Sequence, residues 1–103
     1  MPAMNITKEN FETEVIKSDK PVLLDFYADW CGPCRTVSPL VDEIADEAAD
    51  KKIGKINVDE QPELASAFKV TGIPTLAVVQ GGKVINIASG AKSKAAIMQM
   101  LNF

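Results

Sequence analysis

The stretch Trp30-Cys31-Gly32-Pro33-Cys34 contains both cysteines of the chain. It follows an apolar run, Val22-Leu23-Leu24-Asp25-Phe26-Tyr27-Ala28, and precedes a long segment with helical periodicity. A strand that ends in Cys-x-x-Cys and leads into a helix places the first sulfur near the helix N-terminus, where unpaired N–H groups and the helix dipole favour negative charge. We therefore expect the pKa of Cys31 to lie below that of an ordinary thiol, which is about 8.5.

The elements on either side of this stretch follow from their apolar patterns. The run from Val22 to Ala28 is apolar on both faces, which is typical of a central parallel strand covered by helices. From Cys34 to about Ala49, apolar residues recur at helical spacing and acidic residues occupy the opposite face. Pro39 falls inside this helix, where it removes a backbone donor and clashes with the preceding turn, so we expect a kink.

The rest of the chain predicts further strands and helices in alternation. A mixed sheet of about five strands with helices on both faces, an α/β fold, is therefore expected. The predicted elements are a strand at 4–6, a helix from an N-cap at Thr7 to about Lys17, a strand at 53–58, a helix at 62–68, an antiparallel hairpin of 75–79 and 84–88 around Gly81-Gly82, and a last helix that begins after Ser93 and presents Ile97, Met98 and Leu101 to the sheet.

Length and charge limit the classes of function. With 103 residues the chain is expected to form one domain, residues 1–103. The net charge of −3 and the lack of a basic stripe argue against nucleic-acid binding. The first residues lack the apolar core of a signal peptide, and no apolar run approaches the length of a membrane span. We therefore expect a cytoplasmic protein with no membrane association.

The two cysteines admit four interpretations. A tetrahedral zinc site needs four ligands, and with two cysteines and no histidine the chain would have to use carboxylates. A purely structural disulfide would close only a four-residue loop and restrict the unfolded chain by roughly 2 kcal/mol. Coincidence is a third interpretation, although a strand before the motif and a helix after it disfavour it. Redox chemistry is favoured, and it requires no bound metal or cofactor.

The charged residue of the apolar run is Asp25. If it is buried in the sheet, desolvation raises its pKa and prepares it to accept a proton from Cys34, directly or through water. The alternative is a structural carboxylate paired with a lysine or with backbone N–H groups. Lys55 falls on the same alternating set as Ile53 and Asn57, and by itself it reads as an exposed strand lysine.

The chain resembles the thioredoxin family over nearly its whole length. The motif Trp30-Cys31-Gly32-Pro33-Cys34 matches the active-site motif of that family, and further features occur in the same order. These are Asp25 in its strand, Pro39 in the helix, Lys55, Ile73-Pro74-Thr75 and Gly90-Ala91. The resemblance implies a thioredoxin fold and a protein-disulfide reductase that acts by dithiol-disulfide exchange.

The resemblance also implies roles for individual residues. Cys31, expected to be the more exposed sulfur, attacks the substrate disulfide, Cys34 resolves the mixed disulfide, and Asp25 assists proton transfer. Lys55 approaches the buried Asp25. Pro33 stiffens the dithiol loop and keeps the couple reducing.

A docking surface is implied beside the dithiol. Its residues would be Trp30, Gly32, Pro33, Ile73, Pro74, Gly90 and Ala91, and the Ile73 backbone would pair with an extended substrate segment. In the family the peptide bond before the matching proline is cis, whereas frequencies alone favour trans for Ile73-Pro74. Trp30 could instead belong to the core.

The partners implied by the resemblance are disulfide-containing proteins and a thioredoxin reductase, either flavin-dependent or ferredoxin-linked. A monomer is expected. Two rival functions remain at this stage: a net oxidase or isomerase on the same fold, which differs in dithiol potential, and a binding subunit that would act without its cysteines.

Overall fold

Strand β2 occupies the centre of the sheet in the computed structural model, which describes residues 3–102. Met1, Pro2 and Phe103, which the predicted domain includes, lie outside the described residues. Within those residues the sheet has five strands in the order β1-β3-β2-β4-β5. Their bounds are β1 Met4–Asn5, β2 Val22–Tyr27, β3 Lys52–Asn57, β4 Thr75–Gln80 and β5 Lys83–Ser89.

The sheet is mixed, as predicted. β3 pairs in parallel with both β1 and β2, whereas β4 pairs antiparallel with both β2 and β5. The α-helices are α1 Gly32–Glu47, α2 Pro62–Ala67 and α3 Lys94–Leu101. Together these elements form the α/β architecture that the resemblance implied, a thioredoxin fold.

Alternation along the strands divides the core between the two faces of the sheet. Leu23 of β2 and Ile53 of β3 belong to a cluster with apolar residues of α1 and α3. Leu24 and Phe26 belong to a second cluster on the other face, which α2 covers. Because side chains of a strand alternate, Asp25 lies on the same face as Leu23, toward α1. The centre of the sheet thus carries a carboxylate beneath the helix that begins at the cysteines.

The first helix differs from its prediction. Thr7 is not the N-cap of the first helical element, whose N-cap is Phe11. The N–H of Thr7 donates to the side chain of Asn10 at 2.8 Å, and the Asn10 amide donates to the carbonyl of Asn5 at 3.0 Å. The side chain of Asn10 therefore closes a turn where a helix was expected. A five-residue π-helix, Glu12–Ile16, follows, and the N–H of Lys17 donates to the Glu12 carbonyl.

The other elements agree closely with their predictions. Pro39 lies inside α1, and Ser93 is the N-cap of α3, accepting from the N–H of Ala96 at 3.1 Å. On α3, Ile97 and Leu101 are buried as predicted, Met98 is half-buried against the same cluster, and Met100 is buried in addition. Within residues 3–102, no helix combines the length and apolarity needed to cross a membrane.

The hairpin turn has the geometry that its glycines predict. Gly81 and Gly82 both have positive φ, 61° and 78°, and Gln80 pairs with Lys83 across the turn. Two consecutive residues with positive φ match the right-handed twist of the flanking strands. The turn returns β5 along β4 and brings Gly90 back to the edge of the sheet near Pro74.

Gly54 provides a test of the packing between β3 and the N-terminal segment. A Cβ at this position would lie 2.6 Å from Cγ1 of Ile6, a fully buried side chain. We expect Gly54→Ala to lower the free energy of unfolding by about 1–3 kcal/mol because the core must shift to accept the methyl group. Denaturant unfolding of the oxidised protein measures this loss.

The matched control is Gly72→Ala, since within residues 3–102 no heavy atom other than those of its chain neighbours lies within 4 Å of a Cβ at Gly72. Its free energy of unfolding should stay within about 0.5 kcal/mol of the wild type. Equal losses in the two variants would contradict the packing argument.

Candidate active site

Cys31 and Cys34 form a disulfide at the head of α1. Their Cα atoms lie 5.3 Å apart, and Cys31 is the N-cap residue with an extended backbone. Sγ of Cys31 accepts a hydrogen bond from the N–H of Cys34 at 3.2 Å. A helix N-terminus presents such unpaired N–H groups, and the helix dipole adds to them. The predicted placement of the first sulfur at the start of the helix is therefore confirmed.

The two cysteines do not differ in exposure as expected. Cys31 is 4% exposed and Cys34 is 3% exposed in this disulfide form. Both sulfurs pack with Ala28, and Tyr27, Val58 and Ile73 lie around them. What distinguishes the two residues is their neighbours, because Sγ of Cys31 lies 3.8 Å from the carbonyl oxygen of Ile73.

Asp25 is fully buried in the central strand. Neither of its carboxylate oxygens has a hydrogen-bond partner within residues 3–102. Burial raises the pKa of Asp25 from 3.8 to about 6, the Lys55 ammonium opposes this rise, and the Asp42 carboxylate adds to it. A carboxyl group that titrates close to neutrality is suited to accept a proton. The alternative of a carboxylate paired with lysine or backbone is not what the structure shows.

Lys55 is the residue of β3 directly opposite Asp25 in the sheet. Its ammonium lies 5.0 Å from the centroid of the Tyr27 ring and donates a hydrogen bond to the hydroxyl of Ser38 on α1. Lys55 is therefore half-buried at the sheet–helix boundary and is not the exposed strand lysine that its position alone suggested. Sequence reasoning missed Ser38, although a polar residue four positions after Cys34 lies on the same helix face.

A cavity of about 300 Å³ adjoins the second cysteine. Cys34, Ser38 and Lys55 line one part of it. Tyr27, Ala28, Asp29 and Arg35 complete the lining, and the Arg35 guanidinium donates to the carbonyl of Asp29 at 3.0 Å. This cavity is polar and large enough for water, which could connect Cys34 with its surroundings.

The segment before β4 faces the first cysteine. The peptide bond between Ile73 and Pro74 is cis, as the resemblance implied. The N–H of Gly90 donates to the carbonyl of Pro74 at 2.8 Å, which brings the end of β5 beside this segment. Ile73 thus lies next to Cys31, Gly90 is bonded to the adjacent Pro74, and Ala91 follows as an exposed residue.

Trp30 lies on the surface and not in the core, since 68% of it is exposed. Its indole N–H donates to the carboxylate of Asp59 at 2.8 Å. Trp30 and Ile73 both line an apolar cavity of about 320 Å³. Gly32 and Pro33 are exposed in the first turn of α1. Sequence reasoning also missed Asp59, although an acidic residue just after β3 was a visible candidate for an indole partner.

Comparison with known proteins agrees with this geometry. A family model described as Thioredoxin matches residues 2–102. Thioredoxin of Streptomyces clavuligerus is 46% identical over 95 residues, which are 92% of this chain and 89% of that protein. Thioredoxin 1 of a Nostoc species is 46% identical over 100 residues, 96% of this chain and 94% of that protein. The bifunctional thioredoxin reductase/thioredoxin of Mycobacterium leprae is 43% identical over 100 residues, 96% of this chain and 22% of that longer protein.

Within residues 3–102, no group of three or more acidic or cysteine side chains is arranged to hold a metal ion. The features that the structure brings together are a disulfide at a helix N-terminus, a buried carboxyl group beneath that helix and an exposed apolar surface beside the first sulfur. With the match over nearly the whole chain, these features show that the chain belongs to the thioredoxin family and is a thiol-disulfide oxidoreductase that reduces protein disulfides.

Proposed function

We propose that Cys31 attacks the substrate disulfide, that Cys34 resolves the resulting mixed disulfide and that Asp25 accepts the proton of Cys34. The observation that carries this assignment is the hydrogen bond from the N–H of Cys34 to Sγ of Cys31 at the head of α1. In the reduced protein the same N–H stabilises a thiolate on Cys31, which is the nucleophilic form of a cysteine. Sγ of Cys34 receives no such bond within residues 3–102.

The reaction balances as two successive exchanges. The Cys31 thiolate attacks one sulfur of the substrate disulfide, the S–S bond breaks, and the other substrate sulfur leaves as a thiolate and takes a proton. Cys34 then loses its proton and attacks Sγ of Cys31, which releases the second substrate sulfur. The substrate gains two electrons and two protons, and the protein is left with the Cys31–Cys34 disulfide.

The second exchange needs a base, because Sγ of Cys34 accepts no N–H hydrogen bond within residues 3–102 that would stabilise its thiolate, whereas Sγ of Cys31 accepts one. Asp25 lies on the sheet face toward α1, carries no competing hydrogen bond within the described residues and has a pKa of about 6. At neutral pH it is mostly ionised and can accept a proton, directly or through water in the adjoining cavity. Lys55 modulates this carboxylate and is a supporting residue.

The docking surface is proposed to consist of Trp30, Gly32, Pro33, Ile73, Pro74, Gly90 and Ala91. An apolar surface with few charged side chains suits a protein segment of variable sequence, and affinity would come mainly from backbone pairing at Ile73. The contact of Ile73 with the first sulfur supports this arrangement, because a strand paired there would present its cysteine to Cys31.

The partners of this chain are proposed to be disulfide-containing proteins and a thioredoxin reductase. The Mycobacterium leprae relative is named as both a thioredoxin reductase and a thioredoxin, which supports a thioredoxin reductase as the electron donor, either flavin-dependent or ferredoxin-linked. We propose further that the protein acts as a cytoplasmic monomer, where a reducing environment keeps its cysteines available for exchange.

Replacement of the cysteines tests the assignment of their roles. Cys31→Ser should abolish insulin disulfide reduction, because no nucleophile remains for the first exchange. Cys34→Ser should also abolish turnover but should accumulate a mixed disulfide, detectable by mass spectrometry. The turnover measurements use dithiothreitol as electron source in one series and NADPH with a flavin-dependent thioredoxin reductase in the other, and the trapping experiment uses pre-reduced protein with no added reductant. Trapping by Cys31→Ser instead of Cys34→Ser would reverse the assignment.

Asp25→Asn tests proton transfer in the second exchange. We expect release of the mixed disulfide to slow by about 10²-fold at pH 7, since general base catalysis typically contributes this much. Attack by Cys31 should change much less. Stopped-flow measurement of both steps across pH 5–9 separates them, and wild-type rates for both steps would remove Asp25 from the mechanism.

The buried carboxyl group also predicts a pH dependence of stability. Because the folded state holds the pKa of Asp25 at about 6, above the unfolded value near 3.8, the folded protein is most stable when Asp25 is protonated. The free energy of unfolding of the oxidised protein should therefore fall by up to about 3 kcal/mol as pH rises from 4 through 6 to 8. Denaturant titrations of Asp25→Asn at each pH should show no such decrease. The same dependence of the free energy of unfolding on pH in Asp25→Asn and in the wild type would contradict this prediction.

A further inference from the structure

Lys55 carries its charge at a boundary between three elements. Its position on β3 is opposite Asp25 of β2, but its ammonium donates to the Ser38 hydroxyl on α1 and lies 5.0 Å from the Tyr27 ring centroid. Within residues 3–102 no ion pair joins Lys55 to a carboxylate. A half-buried lysine that lies opposite a buried aspartate and does not pair with it must be held by other contacts.

Ser38 is in the right place to supply that contact. It lies four residues after Cys34 and therefore on the same face of α1, one turn further along the helix. Cys34, Ser38 and Lys55 all line the cavity of about 300 Å³ beside the second sulfur. The hydroxyl offers the ammonium an acceptor in this cavity, and the Tyr27 ring offers it a cation–π contact.

We propose that Ser38 is a positioning residue for the second exchange: its hydroxyl, with the Tyr27 ring, holds the Lys55 ammonium beside Cys34 and short of an ion pair with Asp25. This inference rests on the proposed role of Asp25 as proton acceptor. A carboxylate locked in an ion pair would be a weaker base, and a carboxylate with no cation nearby would stay protonated at neutral pH. The hydrogen bond from Lys55 to Ser38, called the tether below, keeps the ammonium near enough to favour ionised Asp25 but too far away to form an ion pair with it.

The charges that face Asp25 come from different elements. The Lys55 ammonium on β3 lowers its pKa, and the Asp42 carboxylate on α1 raises it. The residue of β4 that pairs with Asp25 is the apolar Leu76. At the cavity, Tyr27, Asp29 and Cys34 are the other titratable groups, while the Arg35 guanidinium is bonded to the Asp29 carbonyl. Lys55 is thus the cation whose position determines the strength of the base.

Removal of the hydroxyl tests the tether. In oxidised Ser38→Ala the ammonium loses its acceptor and should move toward the two oxygens of Asp25, which have no hydrogen-bond partner among residues 3–102. We expect the titration midpoint of Asp25, followed by the ¹³C shift of its carboxyl carbon, to fall by about one pH unit. A midpoint that is unchanged within 0.2 unit, or one that rises, would overturn the proposal.

Two variants at single positions serve as controls. Ser38→Thr keeps a hydroxyl and should restore the wild-type midpoint. Ser66→Ala removes an exposed serine hydroxyl from α2 and should leave the midpoint unchanged. If Ser38→Thr behaves like Ser38→Ala, or if Ser66→Ala shifts the midpoint equally, the hydroxyl of Ser38 does not hold Lys55.

A double-mutant cycle separates the tether from a merely structural effect. Lys55→Met should raise the midpoint of Asp25 because it removes the neighbouring cation. If Ser38 acts through Lys55, adding Ser38→Ala to Lys55→Met should shift the midpoint no further. An equal shift in both backgrounds would mean that Ser38 affects Asp25 by another route, and the proposal would fail.

Kinetics then distinguish failure of the tether from failure of the proposed function. With a weaker base, Ser38→Ala should release the mixed disulfide about threefold more slowly above pH 7, with attack by Cys31 unchanged. If Asp25→Asn releases the mixed disulfide at the wild-type rate, Asp25 is not the proton acceptor. The titration midpoint of Asp25 in Ser38→Ala still shows whether Ser38 holds Lys55. The positioning role would be overturned if Asp25→Asn slows release of the mixed disulfide and Ser38→Ala shifts the titration midpoint of Asp25 but leaves the release rate unchanged.

Discussion

The burial of strand β2 is the constraint on which the rest of the site depends. The strand is paired on both edges, in parallel with β3 and antiparallel with β4, and apolar clusters cover both of its faces. The chain leaves it through a turn in which the N–H of Cys31 donates to the carbonyl of Ala28 at 3.2 Å. Because the end of β2 is fixed, the start of α1 is fixed too, and with it the N–H of Cys34 that points at the first sulfur.

The same burial explains why a carboxyl group can act beside this helix. An ionised carboxylate inside a sheet is costly without partners, and Asp25 has none within residues 3–102. The protein therefore gives up stability at neutral pH to keep a group with a pKa near 6 under α1. The proposed role of Asp25 as proton acceptor would account for this cost, because catalytic groups need environments that a stable core would avoid.

The sequence predicted those parts of the fold that local patterns determine. β2, α1 and the hairpin around Gly81-Gly82 agree with their predictions because an apolar run, helical spacing and paired glycines each act over a few residues. The first helix begins later than predicted, at Glu12, because the side chain of Asn10 bonds to Asn5 and Thr7 and closes a turn before it. Hydrophobic periodicity does not record such bonds. The prediction for α3 missed the burial of Met100 for a related reason, since the packing of this helix against α1 and β4 selects which residues are buried.

The residues of the candidate site also divide into those that the sequence predicted and those that it did not. The motif and the isolated Asp25 identified the redox pair and the carboxyl group, whereas the cis bond at Pro74 followed from the resemblance alone. The bonds from Trp30 to Asp59 and from Lys55 to Ser38 join residues 29 and 17 positions apart. Contacts of this kind depend on how the sheet and helices come together, so a single sequence offers only candidates for them.

The neighbours of the two sulfurs suggest why one site can separate substrate binding from proton transfer. Cys31 lies against the Ile73 carbonyl, on the side of the exposed indole of Trp30 and the apolar cavity. Cys34 lines the polar cavity of Ser38 and Lys55. A substrate segment bound beside Ile73 would therefore cover the attacking sulfur and leave the polar cavity open. In the proposed mechanism Cys34 loses its proton while the substrate is still attached to Cys31, so Asp25 would act from the side that the substrate does not occupy.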